Sequence, residues 1–277
     1  MIKRLLLLLD ETPSSVAARH FALRLAQDTA ATLTGLAGVD LKYIEKGMPG
    51  SIGAASYQAD FEQTAKTQAE SKRRNLHKIF QSECSARGIQ HDSVSFDGDP
   101  METLFRAAEL RDLVISGHDT AFYHSMKQSL SSTLQKLLSN TPRPVIVCPD
   151  HEVDVREIMI AYDGSLSSVR AIQLFALLGL KQRRRAHVVS IDADEELATR
   201  KADNAANYLR SHLYEVEPCP IATKDYPIDV LTHEINRRSV GMLVMGAYGH
   251  RGIKDFLFGS TTAKLVGEPP CALFVYH

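Results

Sequence analysis

The chain has no surplus of either charge: 32 Lys and Arg stand against 33 Asp and Glu, a formal net charge of -1 over 277 residues. Binding to a nucleic-acid backbone or an anionic membrane draws on a basic excess, so neither is an expected partner. The densest basic run, Lys181-Gln182-Arg183-Arg184-Arg185, reads as a solvated helix end ahead of an apolar strand. Paired cysteines are lacking too. Cys84, Cys148, Cys219 and Cys271 lie far apart with no CxxC, which excludes a zinc knot and a thioredoxin-type redox pair. Cys148 and Cys271, in or beside apolar stretches, read as small core residues. No run approaches the roughly 18 apolar residues that cross a bilayer. The opening Met1-Ile2-Lys3-Arg4 and Leu5 to Leu9 is cut off by Asp10, short of the roughly 7–15 apolar residues and small-residue cleavage site of a secretory leader. A soluble, cytoplasmic protein is expected.

Familiar catalytic signatures are also missing. There is no HExxH, no GxSxG, no GxxxxGK[ST], and no GxGxxG after a strand. The 11 histidines are scattered; His118 with His124, and His250 near a glycine-rich stretch, are candidates for a metal or a phosphate, against the ordinary reading of solvated loop histidines. Asp192, Asp194, Glu195 and Glu196 suit either a magnesium ion or the acid-rich first turn of a helix, which the helix dipole favours. The second reading is preferred.

What is present is a repeat. With 44% hydrophobic and 23% charged residues the chain is of ordinary globular composition, and its length suits two domains of roughly 100–150 residues or one α/β barrel of about 250. Periodicity decides between them. In the first half, Ile2–Leu9, Thr32–Val39, His91–Phe96, Asp112–Ser116 and Pro144–Cys148 read as strands. Between them lie a helix from Pro13 with Ala17, Phe21 and Leu25 four apart, a helix from about Tyr57 to Arg87, one opened by Pro100, and Ser131–Leu138. The second half restarts after Pro149-Asp150-His151-Glu152. Strands Glu157–Tyr162, His187–Ile191, Cys219–Lys224, Met242–Met245 and Cys271–Tyr276 alternate with helices Ser165–Leu180, Glu195–Glu215, Pro227–Arg238 and Ser260–Val266. Near-continuous apolar strands alternating with amphipathic helices predict parallel sheets covered on both faces. The fold class is therefore α/β, with two tandem open five-stranded parallel sheets, residues 1–150 and 155–277. Ligands bind such sheets at the strand C-termini.

Two loops of the second half carry the chemistry. Asp163, in Ala161-Tyr162-Asp163-Gly164-Ser165, stands at a strand C-terminus before a helix, where it can serve as an N-cap or face a ligand; Asp10 holds the same place in the first half. The fourth strand runs out through Gly246-Ala247-Tyr248-Gly249 to Gly259-Ser260-Thr261-Thr262 at a helix start. Glycines admit close backbone approach, and a helix N-terminus with Ser260 and Thr262 offers N–H and hydroxyl donors. That is a phosphate cradle, and the spacing alone suits equally a Gly-rich turn before a Ser-capped helix.

Gly246-x2-Gly249-x9-Gly259-Ser260 resembles the ATP-binding signature of universal stress proteins. The resemblance extends to Asp163, to Gly98-Asp99-Pro100 and to the Asp112-Leu113-Val114-Ile115 strand before Gly117, and so to a tandem member of that family covering nearly the whole chain. It implies Rossmann-like, adenine-nucleotide alpha-hydrolase-like domains. It implies that Gly246, Gly249, Gly259, Ser260 and Thr262 line the phosphates of ATP, with magnesium as a companion ion, that Asp163 meets the adenine-ribose end, and that the strand-two position near Ser190 faces adenine. Fifth strands of the family often pair across a dimer, which implies a homodimer or a pseudo-dimer within one chain, Pro144–Cys148 meeting Cys271–Tyr276. The first half keeps Gly117 but has Thr120 and Leu130 at the other two glycine positions, before Ser131-Ser132-Thr133. A Thr forced to positive φ is disfavoured and Leu130 crowds a phosphate, so nucleotide is expected mainly in the second half. Tyr226 replaces the Asp99 of the first half and Gly241 its Asp112. With no positioned base or arginine clamp, at most slow ATP turnover is expected, the output being a nucleotide-dependent conformation or a protein partner. The alternatives are a scaffold that binds no nucleotide, and an enzyme that activates a substrate with ATP in an adjoining acceptor pocket.

Overall fold

A computed structural model describes residues 2–39, 55–122, 132–180, 184–247 and 260–277, with side chains from residue 63 in the long second helix, from 133 in the fourth and from 261 in the last. The first half runs β1 (Arg4–Leu8), α1 (Pro13–Thr29), β2 (Thr32–Val39), α2 (Ala55–Ala86), β3 (His91–Asp97), α3 (Pro100–Glu109), β4 (Leu113–Gly117), α4 (Ser132–Asn140) and β5 (Val145–Cys148). The second runs β6 (Glu157–Ala161), α5 (Leu166–Leu178), β7 (Arg185–Asp192), α6 (Glu195–Ser211), β8 (Glu215–Ala222), α7 (Pro227–Arg238), β9 (Met242–Gly246), α8 (Ser260–Gly267) and β10 (Ala272–Tyr276).

The strands form one ten-stranded sheet in the order β3-β2-β1-β4-β5-β10-β9-β6-β7-β8. Every pairing is parallel except the central one, where β5 and β10 run antiparallel with Val147 opposite Leu273, Ile146 opposite Phe274 and Val145 opposite Val275. The two fifth strands thus meet within one chain, and the two expected open sheets are halves of a single sheet. All six of these side chains are buried. Successive side chains alternate between faces, so Ile146 and Phe274 enter one core with α1, α2, α5 and α6, while Val147 and Leu273 enter the other with α3, α4, α7 and α8. Both cores are continuous across the join.

Local signals set the helix ends. Thr12 caps α1, its Oγ1 accepting from the Ser15 N–H at 3.2 Å, and Pro13 takes the first turn, where its missing N–H has no intrahelical partner to lose. Asp99 caps α3 by accepting from the Met101 N–H at 2.9 Å; Tyr226, at the same place before α7, has no side-chain capping bond. Gly241, where the first half has Asp112, answers to a close approach: a Cβ there would lie 2.3 Å from the Asp154 carbonyl oxygen. Asp112 instead accepts the Lys3 and Arg4 N–H groups at 2.7 and 2.9 Å.

One pair of boundaries differs from the sequence reading. The helix expected to run to Glu215 stops at Ser211, and the strand expected from Cys219 starts at Glu215 despite Pro218 and Pro220. β8 is an edge strand, and Thr223 sends its N–H inward to the Asp192 carbonyl. By alternation the nitrogens of residues 218 and 220 face outward, where a proline loses no ladder bond and blunts the edge. All four cysteines are buried and unpaired, and burial pushes the Cys148 and Cys271 thiols up to about 12.

Candidate functional site

In each half the chain leaves strand one in one direction and strand four lies on its other side, so a crevice opens at the strand C-termini between β1 and β4, and again between β6 and β9. Such switch points are where open α/β sheets take ligands. Asp163 and Gly246 flank the second crevice. Asp163 is half-buried, and its Oδ1 accepts the Ser165 N–H at 2.9 Å across Gly164, whose φ of +81° suits glycine. Asp163 is therefore not the N-cap of α5. Ser165 is, its Oγ accepting from the Ser168 N–H at 3.3 Å, because the Asp163 turn spends two residues before the helix begins.

Gly246 ends β9 against the first turn of α5: a Cβ would stand 2.6 Å from the Ser167 carbonyl carbon and the Ser168 nitrogen. Gly117 ends β4 in the same way, a Cβ there falling 2.1 Å from Ser14 Oγ and 2.6 Å from the Ser15 nitrogen. The glycine repeated at this place is thus required by helix-on-strand contact, whether or not a ligand follows. Ser190 is fully buried on β7, its hydroxyl donating to the Tyr162 carbonyl at 2.7 Å. It braces the β6 to α5 turn. Thr262 is 4% exposed, as its counterpart Thr133 is 3% exposed, and Ser260 is the first residue of α8. Gly249 and Gly259 lie outside the described residues, as do His250, His124, Leu130 and residues 181–183 of the basic run.

The acidic group after β7 is a helix start. Asp194 caps α6, accepting from the Glu196 and Leu197 N–H groups at 2.9 and 3.2 Å, and Asp192 receives Lys201 Nζ at 2.8 Å. The Lys201 hydrogen bond holds the Asp192 carboxyl below the usual carboxylate range. Lys201 also reaches the site itself, its Cε lying 3.8 Å from where a Gly164 Cβ would be. Burial, reinforced by the Asp163 charge, raises the Tyr162 phenol. The described rim therefore combines a carboxylate, a lysine and the hydroxyl-rich first turn of α5.

The first crevice is built differently. Asp10 is 4% exposed, and its Oδ1 accepts the Glu11 N–H at 2.9 Å and pairs with Lys72 Nζ at 2.9 Å. Its Oδ2 accepts the N–H groups of Ala121 and Phe122 at 3.2 and 3.3 Å. Burial opposes the Lys72 charge, but Asp10 and Glu11 outweigh it and raise its pKa. The Phe122 ring lies edge-on to Phe96 with centroids 5.1 Å apart. Thr120 does not take the positive φ expected of it; Phe122 does, at +63°, while Thr120 Oγ1 meets Ser15 Oγ at 2.7 Å. The β-branched residue stays in the ordinary region, and the chain turns two residues later. The segment after β4 thus folds back over the end of β1 and covers Asp10. Sequence reasoning missed this closure because Ala121 and Phe122 carry no motif.

Among known proteins, residues 155–277 match the model of the Universal stress protein family. A universal stress protein of Synechocystis is 23% identical over 168 residues, a stretch that spans 60% of this chain and 58% of that relative's length. The solved structure of a universal stress protein from Archaeoglobus fulgidus superposes with a TM-score of 0.70 at 16% identity, covering 99% of this chain and 97% of its own. A putative universal stress protein from Pseudomonas aeruginosa gives a TM-score of 0.56 at 16% identity, over 99% and 93% of the two chains. At these identities the solved structures establish a shared fold.

Proposed function

We propose that the chain, whose residues 155–277 match the model of the universal stress protein family, binds ATP or a related adenine nucleotide at the C-terminal ends of β6, β7 and β9. The observation that carries the reading is the contrast between the two crevices: Asp163 stays half-buried at its switch point, where Asp10 is covered by Ala121, Phe122 and Lys72. In this reading Asp163 meets the ribose end and Ser190 acts through the Tyr162 turn it braces. Gly246, Gly249, Gly259, Ser260 and Thr262 form the phosphate side, with magnesium as the nucleotide's companion ion. The chain divides into residues 1–150, a half that takes no nucleotide, and residues 155–277, the half that does. The output is a nucleotide-dependent conformation or partner contact in a cytoplasmic stress response, as a pseudo-dimer or a homodimer of such chains. ATP turnover, where it occurs, is slow.

Calorimetric titration of the whole chain with Mg-ATP tests this. One site per chain at micromolar strength, about −8 kcal/mol, lost in the Gly249→Val, Ser260→Ala double variant, is the expected result. Two sites per chain, or binding unchanged in the folded variant, would overturn it.

A further inference from the structure

The sheet has two edges, β3 and β8, and they are finished differently. Gly98 and Thr223 hold matching places beyond them: each donates its N–H to the residue that ends the neighbouring strand, Val39 of β2 at 2.9 Å and Asp192 of β7 at 3.0 Å. Counted back from those residues, Ser93 and Ser95 stand where β8 has Pro218 and Pro220. Backbone groups of successive strand residues point to opposite sides. With the Gly98 N–H directed to β2, and the Gln90 carbonyl accepting from Leu33 of β2 at 2.9 Å, His91, Ser93, Ser95 and Asp97 turn their N–H and C=O groups outward. Among the described residues β3 pairs with β2 alone. The outward N–H groups that proline removes from one edge are thus retained on the other.

An open edge can pair with any extended chain, so side chains must name the occupant, and those of β3 complement themselves. Laid antiparallel against a second β3 over its whole length, His91–Asp97 turns about Val94: His91 faces Asp97, Asp92 faces Phe96, Ser93 faces Ser95, and Val94 faces Val94. In this register the outward residues lie directly opposite one another as hydrogen-bonded pairs, while Val94 forms a close non-bonded pair on the dyad. No like charges stand opposite each other, which would be destabilising. The side chains are also already held. On the α2 face Arg73 pairs with Asp97 at 2.5 Å, Gln81 donates to Ser93 Oγ at 3.1 Å, His77 Nε2 lies 3.0 Å from Ser95 Oγ, and the Phe80 ring stands edge-on to His91. On the other face Val94 is half-buried against the core that contains Phe96, so a Val94 pair extends that apolar layer. Ordering such an edge on association costs little entropy.

We propose that the β3 edge is an interface for a second copy of this chain, joining the two sheets antiparallel about Val94. The contact is isologous, the same strand on both sides, and closes at two chains. The far edge cannot extend it into a filament in the same way, because Pro218 and Pro220 withhold the N–H groups that β8 would need. The interface lies at the opposite end of the sheet order from the β6–β9 crevice, and it stands independently of the nucleotide reading.

Sedimentation velocity on the whole chain across the micromolar range tests this, and a reversible monomer–dimer equilibrium without larger species is expected. Ser93→Pro combined with Ser95→Pro copies the β8 edge onto β3 and should raise the dissociation constant by about tenfold or more, with circular dichroism checking the fold. Val94→Cys tests the register without proline. A non-bonded antiparallel pair sets its Cα atoms about 4.5 Å apart, within the roughly 4.4–6.8 Å that a disulfide spans, and the four native cysteines are buried. Mild oxidation should therefore link the Val94→Cys variant into a covalent dimer and leave the unaltered chain unlinked. A chain that stays monomeric throughout, a dimer unweakened in the folded proline variant, or a Val94→Cys variant that dimerises without cross-linking would each overturn the proposal.

Discussion

Asp10 and Asp163 stand at the same point of the repeat, two residues beyond the ends of β1 and β6, yet they do different work. Asp10 is a buried anchor holding Lys72 and three backbone amides. Asp163 closes a two-residue turn at a half-buried rim. A carboxylate at the switch point is thus a position offered by the fold, and in the first half the segment after β4 makes it part of a core ion pair.

The comparison can be broken hardest at the glycines that end β4 and β9. Gly117→Val and Gly246→Val drive a side chain into backbone of the first turns of α1 and α5 respectively, and each is expected to cost about 3–4 kcal/mol in urea unfolding. If only Gly246 proved sensitive, the packing equivalence of the halves would fail. Next comes the pair of aspartates. Asp10→Asn removes the buried charge that faces half-buried Lys72 and should cost about 2–3 kcal/mol, whereas Asp163→Asn should cost under about 1 kcal/mol and act on nucleotide affinity instead. Equal stability losses would erase the distinction drawn between the two crevices.

A smaller effect separates the halves in acid. The Arg237 hydrogen bond, with help from Arg238, lowers the Glu234 carboxyl to about 2 from an ordinary 4.5. Its folded pKa is depressed, so its contribution is complete above the unfolded value and is lost as pH falls through about 4.5 toward 2. Glu234→Gln should flatten that limb of the stability curve by about 1–2 kcal/mol, measured by denaturant melts across the range; an unchanged limb would assign acid lability elsewhere. The smallest expected change is Ser190→Ala, about 1 kcal/mol, with a modest loss of nucleotide affinity through the Tyr162 turn; a loss as large as that of the Gly249→Val, Ser260→Ala variant would make Ser190 a direct contact.

Much of the fold was legible because its signals are local. Thr32–Val39 and Pro227–Arg238 fall where periodicity and a leading proline put them. The start of β8 was misplaced because Pro218 argues against a strand until its edge position is known. At the site, the sequence located Asp163 and Gly246 on one crevice; of the two readings of Asp163 the N-cap one falls, because Ser165 is the cap, and packing against α5 is a requirement on Gly246 that the sequence did not show. Thr120 was expected to strain the first half, and Phe122 takes the left-handed turn instead. No described helix is long and apolar enough to cross a membrane, in line with the short apolar runs.

By itself the sequence determined the elements, their alternation and their repeat, since strand apolarity, helix periodicity and capping act over a few residues. Only the tertiary structure decided that the expected meeting of the fifth strands joins the halves into one continuous sheet with two shared cores, and that the first crevice is closed by its own chain. The antiparallel join pairs Val147 with Leu273, and the closure brings Ala121 and Phe122 to a carboxylate 111 and 112 residues away. Contacts at that separation depend on how every intervening element packs.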